Sequence, residues 1–283
     1  FQNRYEKPIL KEDEEVLRDL GKRIHPFLLR RMKKDVLTEL PEKVETVMVT
    51  ELSPKQRKLY MSYLNEIKEN LKEKDMEDYV KKNSFQILSV LTRLRQICCH
   101  PSTFVSNYKG GSGKLELLME IIPDAISNGH RILIFSQFTS MLQIIKEELK
   151  AHEISYFYLE GATPLKTRNE YVNRFNDGEG SVFLISLKAG GTGLNLTGAD
   201  TVIHYDPWWN PAVEEQATDR VYRIGQTNSV NVIKLLSKDT IEEKIFKLQE
   251  KKRELSDSII QSKEVFINKL SKEELEEIFD LGV

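Results

Sequence analysis

Apolar positions along this chain change period partway through. From residue 1 to about 105 they recur mostly at helical intervals among many Lys and Glu, and "ELPEKVETVMVTEL" is the one strand-like interruption. There Val44, Thr46 and Met48 alternate with Glu45, Val47 and Val49. "LSPKQRKLYMSYLNEIKENLK" then predicts a helix with Ser53 at its N-cap and Pro54 at the first helical position. The glycine-rich, polar stretch "SNYKGGSGK" reads as a linker. From Leu115 onward the two periods alternate. "KLELLMEIIPDAIS", "SMLQIIKEELKAH" and "KTRNEYVNRFN" read as helices between the short apolar runs "RILIF", "SYFYLEG", "SVFLIS", "TVIHYD" and "VNVIKLL". Wholly apolar strands of that length are those of a parallel sheet covered by helices on both faces. A long charged helix, "TIEEKIFKLQEKKRELSDSIIQ", follows, and "SKEELEEIF" adds a short one with Ser271 as cap and Glu274 three residues on. The expectation is an α/β protein in three parts: a helical region over 1–107, a parallel-sheet lobe over 108–238, and terminal helices over 239–283.

In such a sheet, ligands collect at the carboxyl ends of the strands. The loops there are unusual. They read "SQFTS", then "ATPLKTR" with Lys166 and Arg168, then "LKAGGTGLNL", then "PWWNP". Together they place hydroxyls, backbone N–H groups, cations and an indole pair along one edge, a means of gripping a phosphate backbone without reading bases. Taken singly each has a plainer explanation. Gly190, Gly191 and Gly193 suit a tight turn, Lys166 to Arg168 a solvated helix start, and Trp208 and Trp209 are more readily core than ligand contacts. Beyond them lies "QATDRVYRIGQ", residues 216–226. As a helix it sets Gln216, Asp219, Arg220 and Arg223 on one face and Ala217, Val221 and Ile224 on the other.

Composition narrows the possibilities. The 42 basic and 44 acidic residues nearly cancel, so a nucleic-acid site must be local. Cys98 and Cys99 are adjacent, which disfavours a disulfide between them and makes a reducing, intracellular compartment the default. With His100 they close the amphipathic stretch "LTRLRQICCHP", which reads as a buried helix end; no second ligand pair with metal spacing follows. No metal site is expected. No apolar run approaches the roughly 18 residues that span a bilayer.

"GGSGKL" imitates a phosphate-binding loop, but Tyr108 stands where that motif needs a glycine and Leu115 where it needs a hydroxyl. No Asp-Glu pair ends an apolar strand to hold Mg²⁺. The arginine half of a nucleotide site is thus present without the half that cradles phosphates. Arg220 and Arg223 are accordingly expected to act as arginine fingers toward ATP bound on another lobe, a role worth about 10³ to 10⁵ in rate.

"ILIFSQFTSMLQII", "YLEGATPLKTRNEYVNRFN", "LISLKAGGTGLNLTGADTVIHYDPWWNP" and "QATDRVYRIGQ" resemble, in order and spacing, the C-terminal helicase motifs of Swi/Snf-type ATPases. "HPFLLRRMKKDVLTELPEKVE" and "LRQICCHP" resemble the helical protrusion before that lobe, so the resemblance covers nearly the whole chain. It implies a second RecA-like lobe with an N-terminal helical protrusion and a C-terminal brace helix, in a motor that moves on double-stranded DNA. It implies ATP as substrate, Mg²⁺ held mainly by an N-terminal RecA-like lobe of the same protein, and no membrane. By the same resemblance Arg220 and Arg223 are the fingers, and Gln216, Gly191, Gly193 and Asn195 lie toward ATP. Gln137, Thr163, Arg168, Ser186, Lys188, Thr192 and Trp209 lie along the DNA track. Tyr222 departs from the histidine usual there. Three other readings stay open: an RNA-helicase lobe, a non-catalytic nucleic-acid or protein docking module, and a free-standing nucleotide-binding enzyme using "AGGTG".

Overall fold

A computed structural model describes residues 4–5, 14–24, 41–72, 76–190, 193–256 and 277–279. The chain divides into two compact units, Phe1–Leu40 and Pro41–Val283. In the first, α1 (Glu14–Ile24) carries Asp19, whose carboxylate accepts from Arg23 Nε at 3.0 Å and from the Tyr5 hydroxyl at 3.1 Å.

The second unit is built on one six-stranded, all-parallel sheet. Its strands are β1 (Lys43–Thr50), β2 (Ile132–Ser136), β3 (Tyr156–Leu159), β4 (Val182–Ser186), β5 (Thr201–His204) and β6 (Val230–Ser237), arranged β1-β6-β5-β2-β4-β3. The five apolar runs after Leu115 are all here. Every residue of β2, β4 and β5 is buried, and their side chains alternate between two cores. Leu133, Phe135, Phe183, Ile185 and Val202 face α6 (Leu165–Asn176), a single turn α7 (Leu187–Gly190) and α8 (Pro211–Thr218). Ile132, Ile134, Val182, Leu184 and Ile203 face α4 (Gly113–Ser127) and α5 (Thr139–Ala151). Each large side chain so buried stabilises the fold by roughly 1.5–3 kcal/mol, which fixes the strand register.

The helical region is α2 (Pro54–Lys72) and α3 (Met76–Cys99). Ser53 caps α2 as expected: its Oγ accepts from Gln56 N–H at 3.4 Å while Gln56 Oε1 accepts from Ser53 N–H at 3.1 Å, a reciprocal capping box. These two helices share a third core with α9 (Ile241–Ser256), Trp209, Ile278 and Phe279. The expected short C-terminal helix is described only at 277–279, and its Ser271 cap lies outside the described residues. So do "HPFLLRRMKKDVLTEL" and residues 257–276.

Two local expectations change. The strand that seemed to interrupt the helical region is the sheet edge, paired with β6 from Lys43↔Val230 to Thr50↔Ser237. Its partner lies far along the chain, so spacing alone could not reveal it. The second change concerns the "GGSG" stretch, which packs tightly instead of linking loosely. Ser112 Oγ donates to Cys99 O at 2.6 Å, and a Cβ on Gly113 would stand 2.0 Å from Glu51 O. Lys114, fully buried, sets its Nζ 2.6 Å from Glu242 Oε2 and donates to Tyr205 O at 3.0 Å. The lysine that imitates a phosphate ligand is therefore the bolt that holds α9 to the sheet lobe.

Candidate functional site

Parallel pairing sets the strand ends side by side: Ser136 beside Ser186, Phe135 beside His204, and Leu159 beside Ile185. The loops that follow therefore gather along one edge, as the sequence requires of a ligand site.

After β2 and β5 the chain is tied into a buried polar node. Asp206, 3% exposed, accepts from the Ser136 hydroxyl and from Gln137 N–H at 3.2 Å. Burial pushes its carboxyl pKa up, and the guanidinium of Arg95, 3.8 Å away, pulls it down. Arg95 comes from α3 and also donates to Pro207 O and, at 3.0 Å, to Gln137 Oε1. It lies 5.3 Å from the Trp209 ring centroid. Sequence reasoning gave Arg95 no role, although it lies in the "LRQICCHP" stretch that carries part of the family resemblance.

"PWWNP" opens α8. Asn210 is the N-cap, its side chain accepting from Ala212 N–H at 3.0 Å, and Pro211 takes the first helical position. Trp208 N–H donates to buried Glu214 at 2.6 Å, and Trp208 O accepts from Gln249 of α9. Trp209 is only 6% exposed and packs in the helical core, so its ring is a packing group and not a solvent-facing stacking platform.

The 216–226 segment is not one helix. The helix α8 ends at Thr218 with Asp219 as its C-cap, and turns follow. Carbonyls that would continue the helix are engaged elsewhere: Arg220 O accepts from Leu196 N–H at 2.9 Å, and Val221 O from Gln226 Nε2 at 3.4 Å. Ala217 and Val221 are buried as expected, but Ile224 is 72% exposed and belongs to no core. Gln226 reaches back, donating to Ala199 O at 2.7 Å. Arg220 and its neighbours are thus stitched to the segment that follows the glycine loop, and Gln226, the amide that ends "QATDRVYRIGQ", is one of the stitches. Arg220 is half-buried and Arg223 exposed. Burial first, then the nearby Arg223 guanidinium, lower the Arg220 pKa against the pull of Asp219.

The remaining expected residues fall as follows. Gln216 is exposed on the last turn of α8. Gly193 has φ +64, in the left-handed region that a side chain would strain, and Asn195 is exposed, its carbonyl accepting from Asn176 at 2.9 Å. Gly191 and Thr192 lie outside the described residues. Ser186 is buried; its Oγ accepts from Ala189 N–H at 3.4 Å and so begins the turn that holds exposed Lys188. Thr163 Oγ1 accepts from Glu160 N–H at 3.1 Å, and Arg168 donates to Thr163 O at 2.8 Å and Gly161 O at 2.7 Å. Both shape the loop after β3.

Cys98 and Cys99 are buried at the end of α3, their thiol pKa values pushed up by burial, and His100 caps the next turn by accepting from Ser102 N–H at 3.1 Å. Among the described residues no group of three or more His, Cys, Asp or Glu could hold a metal ion, and no helix is long and apolar enough to cross a membrane.

Residues 113–225 match the helicase conserved C-terminal domain, and residues 1–103 match the SNF2-related domain. An uncharacterized ATP-dependent helicase of Mycoplasma genitalium is 38% identical over 281 residues, covering 99% of this chain and 26% of that protein. This chain spans about a quarter of the length of such curated relatives. Among solved structures, the Sulfolobus solfataricus SWI2/SNF2 ATPase C-terminal domain is 35% identical with a TM-score of 0.68, covering 86% of this chain and 100% of that one. The SWI2/SNF2 ATPase core of the same organism, in complex with dsDNA, is 38% identical with a TM-score of 0.70, covering 100% of this chain and 60% of that one.

Proposed function

The chain belongs to the Swi/Snf (SNF2-related) family of ATPases, and on that premise we propose that it is the C-terminal lobe of an ATP-driven translocase on double-stranded DNA. The observation that carries this reading is the pair Arg220 and Arg223, electrostatically coupled and held by their backbone to the segment after the glycine loop. ATP is the substrate. Its phosphates are cradled by an N-terminal RecA-like lobe of the same protein, and the two guanidinium groups reach the γ-phosphate across the cleft, where they stabilise charge as the terminal phosphoryl group leaves. Gln216, Gly191, Gly193 and Asn195 lie toward the nucleotide. Mg²⁺ is assigned mainly to the N-terminal lobe, and no residue of this chain is named as its ligand.

The DNA track runs over the loops after β2, β3 and β4. Lys188 supplies an exposed cation and Gln137 an amide, while Thr163, Arg168 and Ser186 set loop shape and Thr192 completes the glycine loop. Trp209 contributes by positioning the loop after β5 from within the core. Such contacts grip phosphates and carry no base readout, so binding is sequence-independent and weakens with salt. Because Leu196 N–H is bonded to Arg220 O, a shift of the glycine loop on DNA carries the arginines with it. That bond gives a physical route between DNA state and hydrolysis.

The test is Arg220→Lys in the full-length protein. Lysine keeps the charge but lacks the planar two-pronged donor. Steady-state hydrolysis in the presence of duplex should fall by about 10³-fold while thermal unfolding is unchanged. Near-normal turnover would remove the finger role.

A further inference from the structure

We propose that Arg95 is a positioning residue for the DNA track, the group by which the helical region sets the orientation of Gln137; this rests on the reading of Gln137 as a track residue. Arg95 is carried by α3, within the "LRQICCHP" stretch of the helical region, and is 2% exposed. Its guanidinium spans two loops at once: one nitrogen donates to Gln137 Oε1 at 3.0 Å after β2, the other to Pro207 O after β5. The Phe138 and Trp209 ring centroids lie 5.8 Å and 5.3 Å from it. Gln137 N–H donates to the same Asp206 carboxylate that Arg95 approaches, so backbone and side chain of Gln137 are fixed from one node.

The chemistry defines what is fixed. A guanidinium only donates, so it selects the amide rotamer of Gln137 in which oxygen faces α3 and Nε2 is the group left over. Nε2 has no partner among the described residues, and neither has Arg95 Nε. Two buried donors without acceptors are costly, and an arrangement serving stability alone would fill them. A node that leaves its donors unfilled suits a loop that shifts when an acceptor arrives, and a phosphate oxygen is an acceptor that the amide nitrogen, not the amide oxygen, can meet. Lysine in place of Arg95 could keep a cation beside Asp206 but could not bond both loops in fixed directions.

The experiment is a pair of double-mutant cycles in the full-length protein, read as the dissociation constant for a fluorescent 30-base-pair duplex. Arg95→Lys should weaken binding about tenfold, the loss expected for one hydrogen bond to a charged acceptor. Gln137→Ala should do the same, and the double variant should be no weaker than either alone. Arg95→Lys combined with Lys188→Ala, on a different loop, should instead show multiplied effects. Thermal unfolding of Arg95→Lys should stay cooperative. Should Arg95→Lys not fold, Arg95→Gln replaces it in both cycles. Multiplied effects of the Arg95 and Gln137 changes, or an Arg95 variant that binds as the parent does while Gln137→Ala is weakened, overturn the inference and leave the track standing. A parent protein that does not bind duplex, or binding untouched by Gln137→Ala and Lys188→Ala, overturns both.

Discussion

His204 shows how one side chain holds the arginine segment. It is 2% exposed at the end of β5, stacked on Phe135, with Nε2 3.0 Å from Thr218 Oγ1, the last residue of α8 before the arginines. Burial, then Lys234, lower its pKa to about 3, with an opposing upward pull from Glu45 and a smaller lowering from Lys43. Unfolded, a histidine titrates near 6.5. Between those values the unfolded chain binds a proton that the folded chain refuses, so the stability from a neutral His204 is complete above about pH 6.5 and drains away as pH falls. His204→Gln keeps a group able to bond Thr218 without that titration. The loss of unfolding free energy from about pH 7 to about pH 5 should be smaller in this variant by on the order of 2 kcal/mol, measured by denaturant titration at each pH. An unchanged slope would contradict the assignment. At this scale residue type singled out Arg220 and Arg223 in the sequence, and their role as fingers remains the proposal made above. What Arg95 and Gln226 hold was not legible, since their partners, Gln137 and Pro207 in one case and Ala199 in the other, lie 27 to 112 residues away.

Among the elements, the strands and helices after Leu115 were legible because both faces of a parallel sheet demand apolar runs and each covering helix demands a stripe. The end of α8 was misread for a physical reason. Ala217, Val221 and Ile224 keep helical spacing, but Leu196 N–H claims Arg220 O and the chain turns, leaving Ile224 in solvent. Tertiary bonds overrode local period. The same limit hid the joint between α4 and α9, where Lys114 and Glu242 form an ion pair with both side chains fully buried. Glu242 Oε2 also accepts from Ser237 N–H at 3.1 Å, so the pair joins α4, β6 and α9. Burial is the largest single influence on Lys114 and pulls its pKa down, but the attractions of Glu242, Cys99 and Cys98 together outweigh it and raise the pKa. Removing one partner leaves a buried, uncompensated charge. Lys114→Met should therefore cost about 3–5 kcal/mol of unfolding free energy, and the double change Lys114→Met with Glu242→Leu should recover most of it. Equal losses in single and double variants would show that the joint depends on shape and not on charge.

For the whole molecule, the proposal is a split site. The sheet lobe presents arginines and an exposed loop edge, the helical region braces that edge through Arg95, and α9 is bolted to the lobe through Glu242. Closing and opening of two lobes around ATP would then move the duplex by a rigid-body hinge. The most direct test is steady-state ATP hydrolysis by the full-length protein and by this 283-residue chain alone, each with and without linear duplex DNA. Turnover that requires both the full-length protein and duplex is the predicted result. Equal hydrolysis by the isolated chain would place the phosphate site within these residues and contradict the assignment of Arg220 and Arg223 as fingers for another lobe.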